Sequence, residues 1–292
     1  MTVTNQSLRE TASSRGGWLR SGVRDALTPL GLLPVARGVR DSVKNLGWLG
    51  ENAPFWLKGT PDGLPAPPVS LVRLTTGTPS LTWLFHSGAL AATGIVAALE
   101  RNGVTMASRT SVLDFGCGCG RVVRHWAHLG AELHGCDYNP RPVKWCRRRL
   151  PFATFAINGL HPPLPYASGQ FDLVYALSVF THFPESMAVA WIREMGRILK
   201  ADGLLLITTH GEAYLDDLSE DERREFRSAR LVVRHPEMAG TNYCGTYCSE
   251  EYIRRVFTTG FHLVDFAPRG ALGNPHQDLV LLRRTGAGAA MP

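Results

Sequence analysis

Val112-Leu113-Asp114-Phe115-Gly116-Cys117-Gly118-Cys119-Gly120-Arg121 constrains the architecture of this 292-residue chain more tightly than any other stretch. Ser111, Val112 and Leu113 read as a short buried strand that climbs to an acid. Three glycines then follow at alternate positions, and Arg121 to Leu129 reads as a helix beyond them. Glycine carries no Cβ, so the backbone can turn sharply there and a ligand can lie against it. A helix opening just past the loop would add free N–H groups at its positive end. The spacing excludes the two commonest glycine-rich loops. A dinucleotide fingerprint needs glycine where Arg121 stands, and a phosphate loop needs Gly-Lys-Ser/Thr at its close.

A second acid turns the loop into a site. Ala131 to Asp137 reads as the next strand, and Asp137 lies 23 residues (137 − 114) after Asp114. In nucleotide-binding α/β folds an acid about 20 residues on, at the end of strand two, accepts hydrogen bonds from ribose hydroxyls. A carboxylate suits that task because it accepts two hydroxyl protons and donates none. Taken alone, Asp137 could equally cap the helix that Pro140 opens.

Together the order Asp-x-Gly-x-Gly-x-Gly and the downstream acid resemble motif I and the following strand of the class I S-adenosylmethionine-dependent methyltransferases. The resemblance runs from about residue 85 to 210. It implies an α/β fold: a Rossmann-like, doubly wound, seven-stranded mixed sheet with a closing antiparallel strand, preceded by an N-terminal helical extension. It implies S-adenosylmethionine as cofactor, with the amino-acid end on the loop (Asp114, Gly116, Cys117, Gly118, Gly120). Asp137 and Tyr138 would then hold the ribose side, and Asn158 and Gly159 the adenine. Asn158 departs from the acid often found there, although asparagine can still bond the adenine edge. Phe152 to Asn158 reads as strand three, Gly169 to Ala176 as strand four with its approach, Pro184 to Leu199 as a helix and Gly203 to Thr208 as strand five.

The activity implied is methyl transfer to a small-molecule acceptor, oxygen slightly favoured over nitrogen. A bacterial secondary-metabolite, sugar or lipid intermediate would serve as substrate. An in-line displacement from a sulfonium needs alignment and a water-poor cavity, and sometimes one base. A neutral imidazole near pH 7 can be that base; His182 and His210, just beyond strands four and five, are the two candidates. A structural role for either histidine is the plainer alternative. The Asn/Asp-Pro-Pro-Tyr signature of exocyclic-amine methylation is absent at Ala176-Leu177-Ser178-Val179, and no acid set suggests a magnesium-dependent type. Two other readings stay open: a fold that binds the cofactor without transferring methyl, as a cyclase or regulatory module, and a peripheral membrane enzyme acting on a lipid-linked acceptor.

Composition bounds the rest. The apolar share of 44% is ordinary for a globular chain. No run of about 18 apolar residues is read, so no span is expected. Without a signal-peptide pattern a cytoplasmic location is expected, and the six cysteines then stay reduced. Cys244 and Cys248 have metal-like spacing, but no second pair completes a zinc site, so no metal is assigned. The net charge of +6 is concentrated early: residues 1 to 60 hold eight basic and four acidic residues. Apolar stripes at Leu19, Val23, Leu27, Leu30 and at Val35, Val39, Val43, Leu46 read as helices there. They would pack on or close over the domain; a basic amphipathic helix can instead touch an anionic membrane surface. No nucleic-acid motif appears. The organisation expected is residues 1–70 as a helical lid or extension ending in the Pro-rich linker Pro61 to Pro68, 71–283 as the methyltransferase domain with 211–248 inserted as a substrate lid, and 284–292 as a flexible tail. Ser219 to Glu222 has a capping-box pattern. Oligomeric state is not legible in the sequence.

Overall fold

The computed structural model describes residues 47–285. The chain divides into two units, Met1–Ala53 and Pro54–Pro292. In the first, 47–53 are helical; the helical stripes expected between 19 and 46 lie outside the described residues.

In the second unit, α1 (Val69–Thr76) and α2 (Leu81–Glu100) lead into the sheet. The core alternates β1 (Ser111–Phe115), β2 (Glu132–Asp137), α3 (Pro140–Arg149), β3 (Thr154–Ile157), β4 (Phe171–Ala176), α4 (Glu185–Ile198) and β5 (Leu199–Thr209). An insertion carries α5 (Glu220–Arg227), β6 (Val232–Arg234) and β7 (Gly245–Tyr247), and the hairpin β8 (Phe261–Ala267) and β9 (Asp278–Arg284) closes the sheet. Strand order is β3-β2-β1-β4-β5-β9-β8, parallel through β5 and antiparallel at β9 and β8. This is the seven-stranded mixed sheet that the resemblance implies.

Both faces of the sheet are buried, as parallel strands require. Successive side chains point to opposite sides. Val112, Leu173, Tyr175, Leu206 and Leu281 pack with α1, α2 and α3. Leu113, Val174, Leu205, Ile207 and Val280 pack with Trp191, Ile192 and Met195 of α4 and with Tyr252, Ile253 and Phe257. Helix α2 is long and apolar enough to cross a membrane by length and composition, which the sequence reading overlooked because His86, Ser87 and Thr93 interrupt it. Its Leu84, Ile95, Ala98 and Leu99 are buried in the core instead.

Two expectations need correction. Residues 121–129 do not form an α-helix: Val123–Trp126 is a single 3-10 turn. Tertiary contacts override propensity here. The Arg124 guanidinium is buried on Asp62 and over the Phe85 ring, and Trp126 Nε1 donates to the Tyr175 hydroxyl at 3.1 Å. No helix N-terminus therefore opens beyond the glycine loop. The Pro-rich segment, expected as a stiff linker, is also fastened to the domain by the Asp62–Arg124 pair and by Arg124 Nη2 donating to Leu64 O and Pro65 O. Finally, β9 runs through Arg284, one residue into the stretch read as tail.

Candidate functional site

The strand order reverses beside β1, between its neighbours β2 and β4. Ligands of open α/β sheets bind at the carboxyl ends of the strands at such a switch point. Every expected site residue lies there: Asp114 on β1, the glycine loop after it, Asp137 ending β2, Asn158 and Gly159 after β3, His182 after β4 and His210 after β5.

Asp114 is buried, and burial pushes its carboxyl up to about 7 although the Tyr175 hydroxyl, the Arg121 charge and the Val123 N–H oppose the rise. Its Oδ2 has no hydrogen-bond partner. Gly116, Gly118 and Gly120 all have positive φ (80°, 52° and 78°). A Cβ at Gly116 would run into Val179 Cγ2, and one at Gly118 would lie 2.6 Å from Thr75 Cγ2 and Oγ1. Glycine is thus required by conformation and by close packing at once. The loop also consumes its own donors. Gly116 and Cys117 give N–H to Cys136 O (2.8 and 3.0 Å), and Gly120 gives its N–H to Cys117 O at 2.9 Å. Gly118 donates to Asp137 Oδ2 at 3.0 Å, and Cys119 to Thr75 Oγ1 at 3.1 Å. The Cys117 thiol is buried and pushed well up by that burial, so it packs rather than reacts.

Asp137 receives a second N–H from Asn139 at 2.8 Å, on Oδ1. Burial raises its carboxyl, and the Asn139 and Gly118 amides work against that rise. Each oxygen keeps a lone pair for a further donor. Beside it Tyr138 and Ile157 are exposed large apolar side chains at 45% and 38%. Asn158 Oδ1 is buried without a partner, while its amide N–H donates to Gly159 O at 2.7 Å. A carboxylate with spare acceptors, an apolar surface beside it and unpaired polar atoms on β1 and after β3 fit an adenosyl ligand.

The two histidines differ. The His182 ring meets Cys244 O through Nδ1 at 2.6 Å, so Nδ1 bears the proton and Nε2 keeps its lone pair. Burial holds its pKa below the ordinary value, against the Cys244 contact. His210 meets Thr246 O through Nδ1 at 3.2 Å and Gln277 Nε2 through Nε2 at 3.4 Å. Its pKa falls to about 4, first through burial and then through His182 nearby. Tyr214 and Tyr247 pack against it with tilted rings, their centroids 4.3 and 5.2 Å away. The insertion supplies these partners: its ribbon pairs Val232 with Tyr247, and His210 bridges to Tyr247.

A polar network that the sequence reading missed completes the site. Ser178, two residues past β4, has φ 55°. Its N–H donates to Thr208 Oγ1 at 2.8 Å, and Thr208 donates to Gln277 Oε1 at 2.7 Å. Gln277 Nε2 and Asn274 Nδ2 both donate to Ser178 Oγ, at 2.6 and 2.7 Å. Arg121 Nη2 fixes Asn274 through its Oδ1 at 3.0 Å. Asn274 and Gln277 sit in the β8–β9 connection, 96 and 99 residues in sequence from Ser178, and no local pattern announces such a contact.

Comparison with known proteins bears on the fold. A model of the methyltransferase domain family matches residues 113–207. An uncharacterized methyltransferase of Synechocystis is 30% identical over 96 residues, which is 33% of this chain and 45% of that protein. The malonyl-[acyl-carrier protein] O-methyltransferase of Enterobacter lignolyticus is 30% identical over 116 residues, 37% of this chain and 42% of that one. The chain thus spans under half the length of the curated relatives it matches. In fold it is similar to the CcbJ methyltransferase of Streptomyces caelestis (TM-score 0.50, 16% identity, 69% of this chain and 90% of that one). It is equally similar to an S-adenosylmethionine-dependent methyltransferase of Mesorhizobium loti (TM-score 0.50, 17% identity, 65% and 98%). Residues 113–207 thus match the methyltransferase domain family, and the sheet built around them has the fold of these two methyltransferases.

Proposed function

We propose that the protein transfers a methyl group from S-adenosylmethionine to an oxygen of a small-molecule acceptor, with His182 as the base. Bound in the cleft, the cofactor supplies a methyl group already activated as a sulfonium. Asp137 would hold the ribose hydroxyls, and the exposed Tyr138 and Ile157 would offer an apolar surface to the adenine. Asn158 bonds the adenine edge. The observation that carries the base assignment is the Nδ1–H bond from His182 to Cys244 O. It fixes the tautomer, so Nε2 keeps the lone pair that would take the acceptor's hydroxyl proton while the bound cofactor would supply the methyl group. A base oriented by a third group is the arrangement that such proton transfers require. His210 cannot take that part, because its Nε2 lone pair already faces the Gln277 amide; it positions Gln277. The insertion 211–248 is read as the acceptor-side lid, since Gly240 N–H donates to His182 O at 2.9 Å and Cys244 holds the ring. The names of two relatives, O-methyltransferases of malonyl-[acyl-carrier protein] and of ubiquinone biosynthesis, support oxygen as the nucleophile. A cytoplasmic location and a role in secondary metabolism belong to the same proposal.

The test uses S-adenosylmethionine carrying a labelled methyl group, small-molecule extracts, and wild-type and His182→Ala protein. A labelled product formed by wild type and lost in the variant, with cofactor affinity retained, is the expected result. Normal cofactor binding with no product from any extract would leave only the non-transferring reading.

A further inference from the structure

We infer that the Ser178 hydroxyl is a hydrogen-bond donor held ready for the carboxylate at the amino-acid end of the cofactor. The inference rests on the proposed cofactor and adds a residue that neither the glycine motif nor the strand-two acid reveals. A carboxylate at the loop needs donors, and the loop has spent them: the N–H groups of Gly116, Cys117, Gly118, Cys119 and Gly120 all go to protein acceptors. Arg121, the adjacent cation, is likewise committed. Its guanidinium gives Nη1 to Ser87 O at 3.1 Å and Nη2 to Asn274 Oδ1 at 3.0 Å. What the loop still offers is carbonyl oxygen, which suits the ammonium and repels the carboxylate.

Ser178 stands next to that loop, since Val179 is the side chain packed on Gly116. Its proton can be located by elimination. Arginine only donates, so Asn274 must turn Oδ1 toward Arg121 and Nδ2 toward Ser178. The His210 proton is on Nδ1, given to Thr246 O, so Nε2 is an acceptor and the Gln277 nitrogen must face it. That nitrogen also lies 2.6 Å from Ser178 Oγ, while Gln277 Oε1 takes the Thr208 hydroxyl. Ser178 Oγ therefore receives two N–H donors, which fills both lone pairs of a hydroxyl. Its own hydrogen must go elsewhere, and no hydrogen-bond acceptor for it occurs among the described residues. Ser178 also adopts a left-handed backbone, φ 55°, which costs a non-glycine residue free energy. Two amides, fixed from opposite ends by Arg121 and His210, thus leave the O–H of this half-buried serine without a partner among the described residues.

Calorimetric titration of two ligands with wild-type protein, Ser178→Ala and Ser178→Gly tests this directly. S-adenosylhomocysteine carries the carboxylate; 5′-deoxy-5′-methylthioadenosine is the same adenosyl thioether without the amino acid. A hydrogen bond to a charged group predicts a loss of about tenfold or more in affinity for the first ligand and no change for the second, in both variants. Equal losses for both ligands would make Ser178 merely structural and overturn the inference, as would unchanged affinity for both. The glycine variant relieves the backbone, so a folding defect confined to alanine leaves the test intact. Wild type that binds neither ligand would instead refute the cofactor assignment itself.

Discussion

Removing the Asp62 carboxylate should loosen the domain measurably, because it strands a cation that cannot reach water. The Arg124 side chain is fully buried, and Asp62 is 18% exposed. The carboxylate takes Arg124 Nε on one oxygen and Nη2 on the other, the latter at 3.0 Å. Breaking a buried pair from one side costs about 3–5 kcal/mol. Asp62→Ala should fall below that range, since Leu64 O, Pro65 O and the Phe85 face still solvate the guanidinium. A loss of about 2–3 kcal/mol follows, which for a domain of this size lowers Tm by roughly 4–12 °C. Urea denaturation at pH 7 supplies the free energy, and repeating it at high salt should change little because the pair is sheltered. Burial raises the Asp62 carboxyl, but the Arg124 hydrogen bond and charge outweigh it and hold the group below its ordinary value. The pair's contribution is then whole above the ordinary carboxylate range and fades as the pH falls through the lower folded value. Wild type and variant should converge in strong acid. A variant within about 0.5 kcal/mol of wild type at pH 7 would refute the claim that the Pro-rich segment is fastened to the domain.

Other perturbations probe the site. His182→Asn should lower methyl transfer by about 10²–10⁴-fold with cofactor affinity retained; parallel turnover and calorimetry would show whether both fall together, which the base assignment forbids. Gly116→Ala forces a Cβ into Val179 at φ 80° and should cost about 1–3 kcal/mol in chemical denaturation; a neutral result would mean that the loop relaxes freely. Asp114 has a folded pKa near 7, above its unfolded value. It therefore stabilises the ligand-free fold in acid and loses that contribution as the pH rises through 7. Asp114→Asn should flatten the stability profile between about pH 4 and 7, and an unaltered slope in thermal scans would argue against a buried, reluctant carboxyl.

The sheet was largely legible because its strands are short, apolar on both faces and end on marked residues. Val112 and Leu113 before Asp114, and Leu173 to Ala176 after Asp172, could hardly be anything else. Ser219 and Glu222 form the reciprocal cap that their spacing announces. The reading failed where distant partners overrule local preference. Residues 121–129 look helical, yet Asp62 and Tyr175 draw Arg124 and Trp126 into a tighter turn. The β6–β7 ribbon is only three residues per strand and closes on His210 rather than on its own pattern. Ser178, Asn274 and Gln277 carry no motif at all. They meet because β9 runs antiparallel beside β5 and returns its first residues to the same end of the sheet.

The most direct measurement of the account is calorimetric titration of S-adenosylmethionine into wild-type protein and Asp137→Ala. The proposed site predicts saturable one-to-one binding that the substitution weakens by about 1–3 kcal/mol, the cost of leaving ribose hydroxyls unpaired. Binding of equal strength in both proteins, or none to wild type, would contradict it.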